Sequence, residues 1–200
     1  RIVLKREAQV PSVMMGFRVP NYSSDDAYAL SLLESILSDG KSSRLYQSLV
    51  HDQKNSLSVG AEYSLLQTDS GLFYFYSLVS PGAKVEAVED ALHREIAKLH
   101  NELLSDLELQ RAKNQVEASR IFEQDSNFRH AMLLGQLESI GAGWPRADQF
   151  LERMRTVTAK DIQRVARQYL TQDNRTVGIL IPLPPKEQEA SLPSLHQGKP

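Results

Sequence analysis

The sequence predicts an α+β domain, a mainly antiparallel sheet with helices packed on one of its faces, and three observations carry that expectation. Short apolar runs bounded by Pro, Gly or polar turns come in pairs, at 1–7 with 12–19 and at 56–65 with 71–80. From about residue 84 to 169 the apolar period becomes that of helices, one after another. A last strand-like run, RTVGILIP, follows Asn174. Strands that arrive in pairs and are followed by a block of helices suit an antiparallel sheet covered on one side. At 200 residues, 41% hydrophobic and 24% charged, the chain is sized for one substantial core. The predicted order is ββααββααααα and a final β.

The first two runs, RIVLKRE and SVMMGFRV, are separated by Gln9, Val10 and Pro11, and Pro20-Asn21 stops the second. A helix follows with Ser23 or Ser24 as its cap and Asp25 and Asp26 in the first turn, where the helix dipole favours acid. Its Ala29, Leu32, Leu33, Ile36 and Leu37 fall on one stripe. Asp39-Gly40 supplies a left-handed stop, and Ser42 or Ser43 can cap a second helix. That helix buries Leu45, Tyr46, Leu49 and Val50, while Arg44, Gln47 and Ser48 face elsewhere. The polar corner between the two helices runs into SLSVGAEYSL, which pairs as a hairpin with GLFYFYSLVS across Gln67-Thr68-Asp69-Ser70 and ends at Pro81-Gly82. Leu33, Ile36, Leu37, Leu49, Phe73 and Phe75 are expected in the core, Leu33 and Leu37 deepest.

In the second half, Val85, Val88, Leu92, Ile96, Leu99 and Leu103 make a stripe from about 84 to 104, and Ser105-x-x-Glu108 has the pattern of a capping box opening a helix to about 124. A third helix, 126–141, carries Ala131, Leu134 and Leu137 and ends at Gly141-Ala142-Gly143. Phe150, Leu151 and Met154 mark a short helix, and Thr158 starts the last, with Ile162, Val165, Ala166 and Tyr169 on one face. Residues 183–200 are rich in Pro and polar side chains without an apolar period, which suits a linker or disordered tail, so the folded unit is expected over 1–182. The sequence starts inside a strand, with neither an initiator Met nor a signal peptide, and is expected to be a piece of a longer chain whose compartment stays open.

Lys and Arg number 23 against 25 acids, so no basic surplus exists to hold a nucleic-acid backbone. Without cysteine there is no disulfide and no thiolate ligand. Apolar runs such as LFYFYSLV fall far short of the ~20 residues of a membrane helix, so no membrane span is expected. His93-Arg94-Glu95 and His100-Asn101-Glu102 each place a carboxylate two residues after an imidazole, which on a helix points to another face. The two histidines stand roughly 10 Å apart, too far to share an ion, and both are expected on solvated helix faces. No G-x-S-x-G, P-loop or G-x-G-x-x-G occurs. Catalytic residues and metal ligands are therefore expected to be none.

The segment VMMGFRVPNYSSDDAYALSLLESILSDGKSSRLYQSLV resembles the opening of the non-catalytic C-terminal half-domain in the pitrilysin, or insulinase, family of zinc metallopeptidases, with its mitochondrial-processing-peptidase-like fold. LELQRAKNQVEAS and VTAKDIQRVARQYLTQDNRTVGILIP resemble its later helices and last strand, so the resemblance covers about residues 1 to 182. In that family two homologous halves close like a clam-shell around a peptide, and zinc sits in the first half on an H-x-x-E-H motif that this sequence lacks. The resemblance implies a zinc-bearing homologous half-domain and a peptide substrate as partners, with zinc in the partner half and no cofactor in this chain. Many members place an Arg and, seven residues later, a Tyr just after the S-S-R-L corner to bind and polarise the scissile region. Counted from the corner, those positions fall on Val50 and Leu57. Val50, Leu57 and Arg44 are the implied substrate-cleft candidates, bracing of the corner being the other reading for Arg44. The implied function is to close the chamber and hold the peptide; the alternative is a scaffold subunit of the same fold with no peptidase role.

Overall fold

The computed structural model describes residues 1–124 and 126–183. Its strands are β1 (Ile2–Glu7), β2 (Ser12–Val19), β3 (Ser56–Tyr63), β4 (Gly71–Val79) and β5 (Arg175–Leu183). They form one sheet in the order β1-β5-β2-β4-β3, in which β1 and β5 run parallel and every other neighbour antiparallel. Strict alternation sets the two faces apart. Val13, Met15, Phe17 and Val19 of β2 and Phe73, Phe75 and Val79 of β4 are buried, whereas Met14, Leu72, Tyr76 and Leu78 on the other face are exposed. In register, Met15 meets Phe75 and Phe17 meets Phe73, and the Phe17 and Phe75 rings stand edge to face at 6.1 Å.

The helices are α1 (Asp26–Ser38), a π-helix (Tyr46–Asp52), α2 (Val85–Asn101), α3 (Asp106–Gln124), α4 (Asn127–Ser139), α5 (Arg146–Thr156) and α6 (Ala159–Tyr169), in the predicted order. α1, α2 and α6 lie against the buried face of the sheet, and α3 and α5 pack on α1 from outside. The α+β class and the single covered face therefore stand as expected. All six named core residues are buried, Leu33 and Leu37 completely. The expected tail lies outside the described residues from 184 on; Leu183 closes β5.

Local chemistry differs from expectation at several ends. α1 has Asp25 at its N-cap with no side-chain cap bond, because the Ser24 hydroxyl accepts from the Asp26 amide and Ser23 is drawn into a turn by Asn21. Gly40 does take the left-handed conformation, φ 73°. Neither Ser42 nor Ser43 caps the next helix: the Ser43 hydroxyl donates back to the Gly40 carbonyl that the left-handed turn exposes, at 2.8 Å. That second helix is a π-helix. At its end the Gln53 amide donates to the Ser48 carbonyl five residues back. Leu45 and Leu49 are fully buried, and Tyr46 and Val50 half-buried. α2 ends three residues early, so Leu103 is exposed and Leu104 takes the core position. Ala131 is exposed because α4 packs through Leu137.

Leu37 of α1 is fully buried in the core, and protein cores pack about as densely as organic crystals. Leu37→Ala should cost ~2 to 5 kcal/mol, seen as a lower denaturant midpoint at unchanged slope. A midpoint unchanged within error would reject that placement.

Candidate functional site

Arg44 stands where the polar corner enters the π-helix. Its Nε donates to Glu108 Oε1 at 2.6 Å and its Nη2 to Oε2 at 2.8 Å, a fork-on-carboxylate pair between residues 64 apart in sequence. Both side chains are mostly covered, and the hydrogen bond Arg44 donates to Glu108 raises its pKa against the opposing effect of burial. Glu108 was expected to complete a capping box with Ser105. Only half of that box forms, the Glu108 amide donating to Ser105 Oγ, because the carboxylate is held by Arg44. Arg44 thus aims at α3 rather than along the chain toward β3.

Val50 and Leu57 lie further along the same passage. Val50 is half-buried on the π-helix, and Leu57 is 53% exposed in a bulge that interrupts the β3–β4 register between Ser56 and Ser58. Between them Lys54 takes φ 53°, the one non-glycine residue with positive φ among the described residues. Beneath the passage the Asn55 amide donates to the Leu49 carbonyl, and the Ser56 and Ser77 hydroxyls meet at 2.9 Å in the core. The structure brings Arg44 together with Glu108, and places Val50 and Leu57 on either side of the left-handed residue.

The two helical histidines are held rather than solvated. His100 Nε2 donates to the Ala166 carbonyl at 3.0 Å, and His93 lies against the Arg175 guanidinium at 3.0 Å, which with burial lowers its pKa. His100 is thus tied to α6 and His93 to β5. Among the described residues no three His, Cys, Asp or Glu side chains stand together as a metal site, and no helix is long and apolar enough to cross a membrane.

A feature absent from the candidates read in the sequence is a cleft of about 560 Å³ between the second half of α1, the end of β3 and α3. Glu34, Asp39 and Glu62 line it. Burial, with like charge from Asp39 and Glu62, pushes the Glu34 carboxyl up to about 7, although the Tyr63 backbone amide bonds to it. The signal in the sequence was Ser31, Glu34 and Ser35 interrupting an otherwise apolar helix, DAYALSLLESILS.

A five-stranded, mainly antiparallel sheet with helices on one face defines an α+β domain. The sequence profile described as the Peptidase M16 inactive domain matches residues 1–116, and the chain belongs to that family. It is 27% identical to the zinc protease PqqE of Helicobacter pylori, over 90% of this chain and 40% of that protein. It is also 27% identical to the alpha subunit of the mitochondrial-processing peptidase of Neurospora crassa, over 78% of this chain and 29% of that one. The inactive peptidase domain of a Bordetella parapertussis protein assigned as a zinc protease superposes with a TM-score of 0.81 at 28% identity, over 94% of this chain and 99% of that one. The chain spans about two fifths of the length of the bacterial zinc proteases it matches.

Two outcomes follow from this geometry. A double-mutant cycle of Arg44→Ala with Glu108→Ala should return a coupling of ~1 to 3 kcal/mol; additive single effects would remove the brace. Glu34 has a folded pKa above the 4.5 of the unfolded chain, so the native state holds its proton more tightly. Stability from this group is therefore full below pH 4.5 and falls as the pH rises to about 7, by on the order of 2 kcal/mol. Glu34→Gln should flatten the fall measured by urea unfolding between pH 5 and pH 8, and an unchanged pH difference would place the carboxyl in water.

Proposed function

We propose that this chain is the zinc-free half of a pitrilysin-like zinc peptidase, closing the chamber and helping to hold an extended peptide against the zinc-bearing half. The observation that carries it is the inactive-domain profile over residues 1–116, joined to relatives named as zinc proteases and more than twice as long. Zinc in the partner half supplies the hydrolytic chemistry. This half supplies a wall, and Val50 and Leu57 make that wall apolar where many relatives carry Arg and Tyr. An apolar wall favours hydrophobic peptide side chains and does not polarise a carbonyl. A scaffold role without peptide hydrolysis is the second reading, favoured by those same two apolar positions.

Assembled with its zinc-bearing half, the Val50→Arg/Leu57→Tyr variant should raise kcat on a test peptide about tenfold or more, and Val50→Ala should change mainly KM. A wild-type assembly that forms but hydrolyses nothing would leave the scaffold reading in place. Turnover indifferent to the double substitution but abolished by Arg44→Ala would move the working site to the corner.

A further inference from the structure

The cleft beside α1 has no role in the wall just described, and its chemistry is of another kind. Glu34 enters it from α1, Asp39 from just past the end of that helix and Glu62 from β3. Glu62 accepts from the Tyr74 hydroxyl. The cleft also contains Arg120, whose guanidinium lies over the Phe150 ring, 4.5 Å from its centre. Ser35, 6% exposed, also lines the cleft, and its Oγ is the buried side-chain atom without a hydrogen-bond partner among the described residues. A buried hydroxyl normally finds a partner. Ser35 and Asp39 also line the adjoining cleft between α1 and α3, so the residue with the unpaired hydroxyl borders both.

Gathering three acids around partly covered space, one of them beside an unsatisfied hydroxyl, disfavours the empty charged state and rewards a bound cation. No compact set of metal ligands occurs among the described residues, so the matching cation is extended and carries several N–H donors. We propose that the groove formed by Glu34, Ser35, Asp39 and Glu62 is a binding site for an organic ammonium or guanidinium group. Two sources supply that chemistry, a free polyamine and the basic side chain of a peptide. β3 is an edge strand of the sheet, so an extended peptide has main-chain groups to pair with next to the site. The assignment stands independently of any zinc-bearing half, because every residue it uses belongs to this chain.

The test is calorimetry on the 200-residue chain at low salt with spermidine and, separately, with acetyl-Gly-Arg-Gly-amide. At least one probe should saturate a single site with a Kd below ~1 mM, weakened about tenfold or more by Glu34→Gln/Glu62→Gln. Spermidine binding without peptide binding identifies the free polyamine as the source, and peptide binding identifies the side chain. Ser31→Lys sets a tethered ammonium at the edge of the cleft and should block whichever probe binds while raising the thermal midpoint. Failure of both probes to saturate, or equal binding by wild type and both variants, overturns the proposal. Loss of peptidase activity in an assembled pair would bear on the wall and leave this site untouched.

Discussion

The constraint on which the fold depends is that α1 is buried around most of its circumference. Ala27, Tyr28, Ala29, Leu30, Leu32, Leu33, Ile36 and Leu37 are all in the core, against the sheet on one side and α3, α5 and α6 on the others. A helix apolar all round cannot lie on a surface, so it fixes the sheet beneath it and an outer layer of helices above it. Its few polar side chains acquire their meaning from that burial. Asp26 is bound by Arg164 and Tyr169 of α6, which holds its carboxyl below the ordinary range. Ser31, Glu34 and Ser35 line the acidic cleft instead.

The outer layer is joined to the inner one through a charge pair as well as through apolar side chains such as Leu109, Ala112, Phe150 and Met154. Arg44 and Glu108 connect the corner after α1 to the first turn of α3, and the geometry is the bidentate one that only Arg can make. Partly covered pairs of this kind contribute less by net attraction than by what their loss would leave, an uncompensated charge against the flank of α1. Glu108 also sits in the first turn of its helix, where a carboxylate favours the dipole, so the same side chain serves the brace and the helix start.

Much of the fold was legible in the sequence because its periods are clean. The hairpin, the α1 stripe and the start of α6 at Thr158 follow directly, and Thr158 with Asp161 makes the complete capping box of the chain. What could not be read depended on partners far away in sequence. Glu108 chose Arg44 over its own cap, and no local pattern announces a choice settled 64 residues distant. The π-helix was hidden because Leu45 and Leu49, four apart, satisfy α-periodicity equally well. The acidic cleft needs α1, β3 and α3 together, and His93 and His100 were held by Arg175 and Ala166 across the packed layer. Val50 and Leu57 came from a resemblance, not from any pattern in their own types.

Those two positions sit in the most irregular backbone of the domain. Between residues 46 and 58 the chain passes through a π-helix, a left-handed lysine and a β-bulge, whereas the rest of α1, β2 and β4 is regular. Each irregularity has a cost: a side chain at left-handed φ is disfavoured by roughly 1 kcal/mol or more, and a bulge gives up ladder pairing. A sequence free to relax would place Gly at 54 and pair Leu57 in register. Retained strain of this sort clusters where a surface must present particular side chains. The bulge turns Leu57 outward from a strand that buries its neighbour Ser56, and the wide turn of the π-helix leaves Val50 half-covered above it. The direction of both side chains is therefore set by backbone geometry, so substitutions there change the chemistry of this surface without rebuilding the backbone that presents it.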